Sequence, residues 1–211
     1  MYLSRVKLDV TKRDTLKALS YPNMFHGAIE NCFGGERKRN LWRLDPLGGY
    51  YYLLILSQDR PSCGAIIRQF GYDGDEWETK DYSSLIDRVR DGSEWRFRIT
   101  ANPTRSSLAK MDTNGRGTVH AHITAAFQEK WLLDRAKKNG FLLCEDNFAV
   151  IHSQWYSFRK FASTKNLVTL LSVTYEGILK VTDSDAFRKV LLNGIGRGKA
   201  YGQGLLTIVR I

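Results

Sequence analysis

Glu94-Trp95-Arg96-Phe97-Arg98-Ile99-Thr100-Ala101 alternates without a break, with Trp95, Phe97 and Ile99 facing one way and Arg96 and Arg98 the other. A two-residue period is that of a strand with one buried and one polar face. The stretch decides the fold because it restarts a pattern that opened the chain. Tyr2-Leu3-Ser4-Arg5-Val6-Lys7-Leu8-Asp9-Val10 alternates in the same way.

Outward from the first strand, Thr11 to Asp14 reads as a polar turn. From Pro22 to Phe33 the spacing becomes helical, with Phe25, Ile29 and Phe33 on one stripe. Pro22 suits a first helical turn and Gly34-Gly35 an end. Asn40 to Leu44 and Tyr50 to Ser57 read as a hairpin around Asp45-Pro46-Leu47-Gly48-Gly49. Ala65 to Phe70 is expected to be a further strand. Gly71 to Ser84, with Asp73, Asp75, Glu76, Glu78 and Asp81, reads as a solvated acidic linker.

Beyond Ala101, residues 102–118 look irregular and basic. Ala125 to Asn139 is amphipathic, with Phe127, Trp131, Leu132 and Ala136 expected inward and Gly140 closing it. Phe141 to Ser153 and Leu167 to Val181 read as long strands around a basic loop. Ser184 to Leu192 is a second helix, and Gly204 to Ile211 a final strand. Each half thus approximates β-α-β-β-(α)-β, the split βαβ unit. The predicted class is α+β: two tandem ferredoxin-like (RRM-like, βαββαβ) domains. Residues 1–85 form the first with its acidic linker, and residues 86–211 the second with a basic insertion and a glycine-rich loop.

Composition agrees with a folded chain. Among 211 residues, 43% are hydrophobic, 25 are aromatic and only 4 are Pro, which excludes a disordered or low-complexity sequence. The net charge is +10, and residues 86–211 hold nine of those ten excess charges. Such concentration points to a polyanionic partner, nucleic acid above all. Cys32, Cys63 and Cys144 are odd in number and far apart, so neither a disulfide framework nor a CxxC metal pair is expected. A reducing cytoplasm fits that usage. Arg5 and Lys7 interrupt the first apolar stretch, so no secretory leader is expected. The longest apolar run, Tyr50 to Leu56, is far short of the roughly 20 residues a membrane helix needs.

The most distinctive segment is Gly194-Ile195-Gly196-Arg197-Gly198-Lys199-Ala200-Tyr201-Gly202-Gln203-Gly204, five glycines in eleven residues. Glycine permits close approach to a ligand, and Arg197 and Lys199 between them suit a phosphate backbone. A tight helix-to-strand turn packed on the sheet accounts for the same glycines. A nucleotide-triphosphate loop is excluded, because Asn193 and Ala200 stand where that motif needs Gly and Ser or Thr.

Three stretches, in order, carry a family resemblance: Met1-Tyr2-Leu3-Ser4-Arg5-Val6, Phe97-Arg98-Ile99-Thr100-Ala101-Asn102-Pro103-Thr104, and Gly194 to Leu206. Together they resemble the CasE family, the CRISPR repeat-processing endoribonucleases of subtype I-E systems, over essentially the whole chain. The resemblance implies two ferredoxin-like domains and binding of a CRISPR repeat stem-loop. It implies one metal-free, cofactor-free cut on the 3′ side of the stem. It also implies retention of the product within the surveillance complex Cascade, alongside other Cascade subunits. The isolated chain is expected to be a monomer, with no membrane partner.

Metal-free RNA cleavage uses the adjacent 2′-hydroxyl as nucleophile and leaves a 2′,3′-cyclic phosphate and a 5′-hydroxyl. It needs a proton acceptor, a proton donor and charge stabilisation at phosphorus. The resemblance places the catalytic histidine at His26. Members often carry a tyrosine three residues earlier, where this chain has Asn23, so Tyr21 is the candidate second group. Basic residues found after the histidine are replaced here by Gly27 and Asn31. Charge stabilisation then falls to Arg159 and Lys160, near which the family holds the cleaved phosphate. Arg98, Arg105, Lys110, Arg116, Arg197 and Lys199 complete the expected RNA contacts. His120 and His122 lack metal-spaced partners. His152 lies beside the basic loop. Trp155, Tyr156 and Phe158 are open either to base stacking or to the core.

Overall fold

The computed structural model describes residues 1–34, 38–111, 117–159 and 167–211, with 108–111 and 117 described by their backbone alone. The predicted RNA ligands Arg116 and Lys160 lie outside the described residues, as does the side chain of Lys110.

The first sheet contains β1 (Tyr2–Leu8), β2 (Leu41–Leu47), β3 (Tyr50–Ser57) and β4 (Glu78–Asp81), in the antiparallel order β2-β3-β1-β4. Helices α1 (Arg13–Ser20) and α2 (Asn23–Glu30) connect β1 to β2, and α3 (Gly64–Phe70) connects β3 to β4. A short α4 (Ser83–Ile86) follows. The alternation of β1 buries Ser4, Val6 and Leu8. These meet Phe25 and Ile29 of α2, Ile66 and Phe70 of α3, and Trp42, Leu53 and Ile55 of the sheet in one core.

The second sheet contains β5 (Glu94–Ala101), β8 (Phe141–Arg159), β9 (Leu167–Val181) and β10 (Leu206–Arg210), in the antiparallel order β10-β5-β9-β8. Between β5 and β8 come a hairpin, β6 (Thr104–Met111) and β7 (Gly117–Ala121), and helix α5 (Ala125–Lys138). Helix α6 (Ser184–Asn193) connects β9 to β10. Asp183 caps α6 by accepting from the Ala186 N–H at 2.9 Å, the ordinary role of an N-cap aspartate. Both sheets have the strand order of a ferredoxin-like unit, so the α+β reading with two tandem units holds.

Six local expectations are corrected. Residues 102–118, read as irregular, contain β6 and the start of β7, and β8 does not stop at Ser153 but runs on to Arg159, so Trp155, Tyr156, Phe158 and Arg159 lie on a strand and not in a loop. Arg13 to Ser20 is helical, although Thr11 to Asp14 reads as a turn. Its fully buried positions are only Thr15 and Ala18, with Leu19 partly buried against the core, so little of its buried face is strongly apolar. Ala65 to Phe70 lies in a helix, not a strand, with Ile66, Ile67 and Phe70 buried. Two adjacent isoleucines favour a strand locally, but the crossover between β3 and β4 overrides that preference. The acidic linker contains edge strand β4, whose Glu78 accepts from Arg5 Nε at 2.9 Å. Phe127 is 58% exposed, and Gln128 takes the buried place beside it on α5.

The two sheets are joined by both apolar and ionic packing. Leu41 and Leu56 of the first sheet enter the core of the second. Arg43 of β2 is buried, with an acceptor for each of its five N–H groups. Nε and Nη2 meet Asp45 at 2.7 and 2.6 Å, Nη1 meets the carbonyls of Arg98 and Leu205 at 2.7 and 2.9 Å, and Nη2 also meets Thr207 at 2.8 Å. Among the described residues no helix is long and apolar enough to cross a membrane.

Candidate functional site

The glycine-rich segment runs from the end of α6 to β10. It is a tightly packed helix-to-strand turn, and it carries Arg197 and Lys199 to the edge of a cleft. Gly204 has φ +89°, and its N–H donates to the Thr100 carbonyl at 2.6 Å. A Cβ there would stand 2.4 Å from the Ile195 carbonyl oxygen, so no side chain fits. Gly202, with φ +76°, lies against Trp42 of the first sheet, where a Cβ would be 2.7 Å from Cζ3. Between these contacts Lys199–Tyr201 forms a 3-10 turn. Tyr201 packs edge-on against buried Phe158 with ring centroids 5.1 Å apart.

His26 sits on α2, next to the buried anchor Phe25. Phe25 packs against Trp42 and Phe70, with centroids 5.8 and 5.0 Å away. The His26 side chain is 27% exposed, and its Nδ1 lies 4.0 Å from Glu30 Oε1 one helical turn on. A cleft of about 550 Å³ opens there, lined by His26, Glu30, Arg39, Arg197 and Lys199, among others. Lys199 is half-buried, and its Nζ donates to the Gly196 carbonyl at 3.0 Å. Burial, reinforced by Arg39, holds its ammonium below the usual lysine range. Lys38, also at the cleft, pairs with Asp59 at 2.8 Å. The arrangement combines an imidazole with clustered cations, which suits an anion whose protons must be moved.

The sequence-predicted residues divide. His26, Arg197 and Lys199 come together in the cleft. Tyr21 is 45% exposed and is not among the lining residues. Asn23 opens α2, and its buried Oδ1 has no hydrogen-bond partner. Arg98 ties the sheets together: its Nε lies 3.2 Å from Asp45 Oδ1, and its Nη1 pairs with Glu176 on β9. Arg105 is exposed on β6 opposite His120, and Arg159 is exposed at the end of β8 opposite Leu167. Arg197 reaches Ser106 on β6 at 3.5 Å, so the hairpin borders the glycine-rich turn. Trp155 is 50% exposed while Phe158 is core. His152 meets Gln154 at 3.1 Å in a second cleft, about 540 Å³, between the sheets. His122 packs against Phe127 with centroids 6.0 Å apart. Among the described residues no three of His, Cys, Asp and Glu converge as metal ligands would.

Sequence reasoning missed Glu30 and Arg39. The signal for Glu30 is its i+4 spacing from His26 on one helix face. Arg39 had none, because only the packing of the two sheets brings it to Lys199.

The family model described as CRISPR associated protein matches residues 1–210. The CRISPR-associated endoribonuclease Cse3 of Thermus thermophilus is 27% identical, with 99% of each chain covered. The structure of Thermus thermophilus Cse3 bound to an RNA representing a pre-cleavage complex superposes with a TM-score of 0.81 at 24% identity, covering 99% of this chain and 98% of that one. A chain of a CRISPR RNA-guided surveillance complex, pre-nicking, gives a TM-score of 0.69 at 24% identity and covers 100% of both chains. The fold is therefore shared with those structures, and the match over nearly every residue makes this chain a member of the family of CRISPR-associated proteins.

Proposed function

We propose that the chain is a metal-independent endoribonuclease that binds CRISPR repeat stem-loops in precursor transcripts and cuts once 3′ of the stem. It stays bound to its product as a subunit of Cascade in the prokaryotic cytoplasm. Residues 1–85 supply the histidine and residues 86–211 the glycine-rich turn. The observation that carries this reading is the cleft that joins His26 to Arg197, Lys199 and Arg39. The Thermus relative, an endoribonuclease, and the likeness to a surveillance-complex chain support it.

In this reading the His26 imidazole takes the proton of the 2′-hydroxyl next to the scissile phosphate. The 2′-oxygen attacks phosphorus, and the 5′-oxygen leaves. Arg39, Arg197 and Lys199 offset the charge that develops on the phosphate. The stem is held through its backbone and shape, as A-form duplexes are, with exposed Arg105 and Arg159 among the contacts. Binding weakens with salt.

The test is a labelled repeat hairpin with and without a chelator, followed by analysis of the fragment ends. The expected products carry a 2′,3′-cyclic phosphate and a 5′-hydroxyl, form at the same rate in EDTA, and vanish when the attacking ribose is deoxyribose. Loss of cutting on chelation would overturn the mechanism. One observation favours a second reading, a hairpin-binding scaffold without activity: Tyr21 lies outside the cleft lining and Asn23 cannot replace it as a proton carrier. That reading expects tight, salt-sensitive binding and no product at single turnover.

A further inference from the structure

In-line displacement at phosphorus places the attacking and leaving oxygens on opposite sides, so the proton taken and the proton given pass through different groups. His26 is one. Among the described residues the cleft offers few others. Arg39 and Arg197 do not release protons near neutral pH. Lys38 is held by Asp59 at 2.8 Å, and Glu30 faces His26 Nδ1 at 4.0 Å. Tyr21 is not among the lining residues.

Lys199 remains, and it is unusually well held. It begins the 3-10 turn whose far end, Gly202, is seated on Trp42, and Trp42 packs against Phe25, the chain neighbour of His26. One indole therefore fixes the positions of both His26 and Lys199, although they are 173 residues apart in sequence. Resting on the cleavage reading above, we infer that Lys199 is the second catalytic group of this cleft, giving its ammonium proton to the departing 5′-oxygen while His26 takes that of the attacking 2′-hydroxyl. The P–O2′ bond forms as the P–O5′ bond breaks. His26 gains one proton and Lys199 loses one, and exchange with water restores both. Burial and Arg39 weaken the hold of Lys199 on its proton, the direction an acid requires. Among the described residues the charged groups that share the cleft with it are Lys38 and Arg39 before β2, His26 and Glu30 on α2, and Arg197 on its own turn.

The test replaces the scissile 5′-oxygen with sulfur, because a thiolate leaves without needing a proton. Lys199→Ala is expected to cut the all-oxygen hairpin about 100-fold or more slowly yet cut the 5′-thio hairpin near the wild-type rate. Lys199→Arg, which keeps the charge but has no transferable proton, is expected to behave alike. His26→Ala stays slow on both. Equal slowness of the Lys199 variants on both RNAs, with hairpin binding intact, would assign Lys199 to charge or structure and overturn the inference. So would wild-type speed on the all-oxygen RNA. A wild-type protein that cuts neither RNA would instead refute the cleavage reading, and the inference with it.

Discussion

Trp42 and Gly202 touch where the two sheets join, so closely that a Cβ on Gly202 would come within 2.7 Å of the indole Cζ3. The indole cannot retreat, because Phe25 packs on it at 5.8 Å. Gly202 also has φ +76°, a conformation that L side chains rarely adopt. Gly202→Ala therefore combines backbone strain with overpacking and should cost about 2–4 kcal/mol in denaturant unfolding. Because the same contact sets the turn bearing Lys199, cleavage by the folded fraction should fall by up to about 100-fold. An unchanged denaturation midpoint would show that the contact is relieved at no cost.

Arg43 makes the junction dependent on charge balance. Its replacement by Met removes the guanidinium donor from the carbonyls of Arg98 and Leu205, leaves the Arg98 carbonyl only the longer contact from the Thr207 hydroxyl at 3.4 Å, and leaves Asp45 with only Arg98. Arg43→Met should destabilise by about 3–5 kcal/mol, as removal of one member of a buried ion pair does. Lysine, with three donors for five acceptor contacts, should recover only part of that loss. Adding Asp45→Asn to Arg43→Met should cost less than Arg43→Met predicts by addition, a non-additivity that a double-mutant cycle measures directly.

Tyr21 is separable from the chemistry. It is 45% exposed and away from the cleft lining, so Tyr21→Phe should cut repeat hairpin within about threefold of wild type at single turnover. A fall of about 100-fold would return the phenol to the site as a proton carrier.

Stability should carry a histidine signature. Burial, and then Arg105 nearby, hold His122 below the ordinary histidine range. The folded state thus favours the neutral ring, and the unfolded chain takes up a proton first, near pH 6.5. Below that value the unfolded state binds more protons, so this contribution is present at neutral pH and is lost as the pH falls toward the lowered folded value. His122→Gln should flatten the decline of the denaturation midpoint between pH 7 and 5 relative to wild type. A steeper decline in the variant would reverse the sign of the argument.

What was legible in the sequence follows from where the physics is local. Glu94 to Ala101 and Tyr2 to Leu8 show their buried face residue by residue, and Phe187, Val190 and Leu191 mark α6 by spacing alone. Arg13 to Ser20 hid its helix because Thr15 and Ala18 bury little apolar surface, and Thr15 is held instead by donating to the Phe70 carbonyl at 3.0 Å. Of the residues that line the cleft, His26 is marked by the family resemblance and Lys199 by its place between the glycines of the glycine-rich segment. Arg98 looked like a solvent-facing cation, since its partners are set by long-range pairing: Glu176 by the β5–β9 register, Asp45 by the meeting of the sheets. The cleft itself draws on three separate stretches of chain, around residues 26–30, 38–40 and 196–200, which no periodicity links.

The most direct measurement is single-turnover cleavage of a repeat hairpin by wild type and His26→Ala, with hairpin affinity determined for both. Removing the imidazole should slow cutting by about 10²–10⁴-fold while the hairpin Kd changes by less than about threefold. A His26→Ala protein that binds equally well and cuts at the wild-type rate would contradict the assignment of proton transfer to His26.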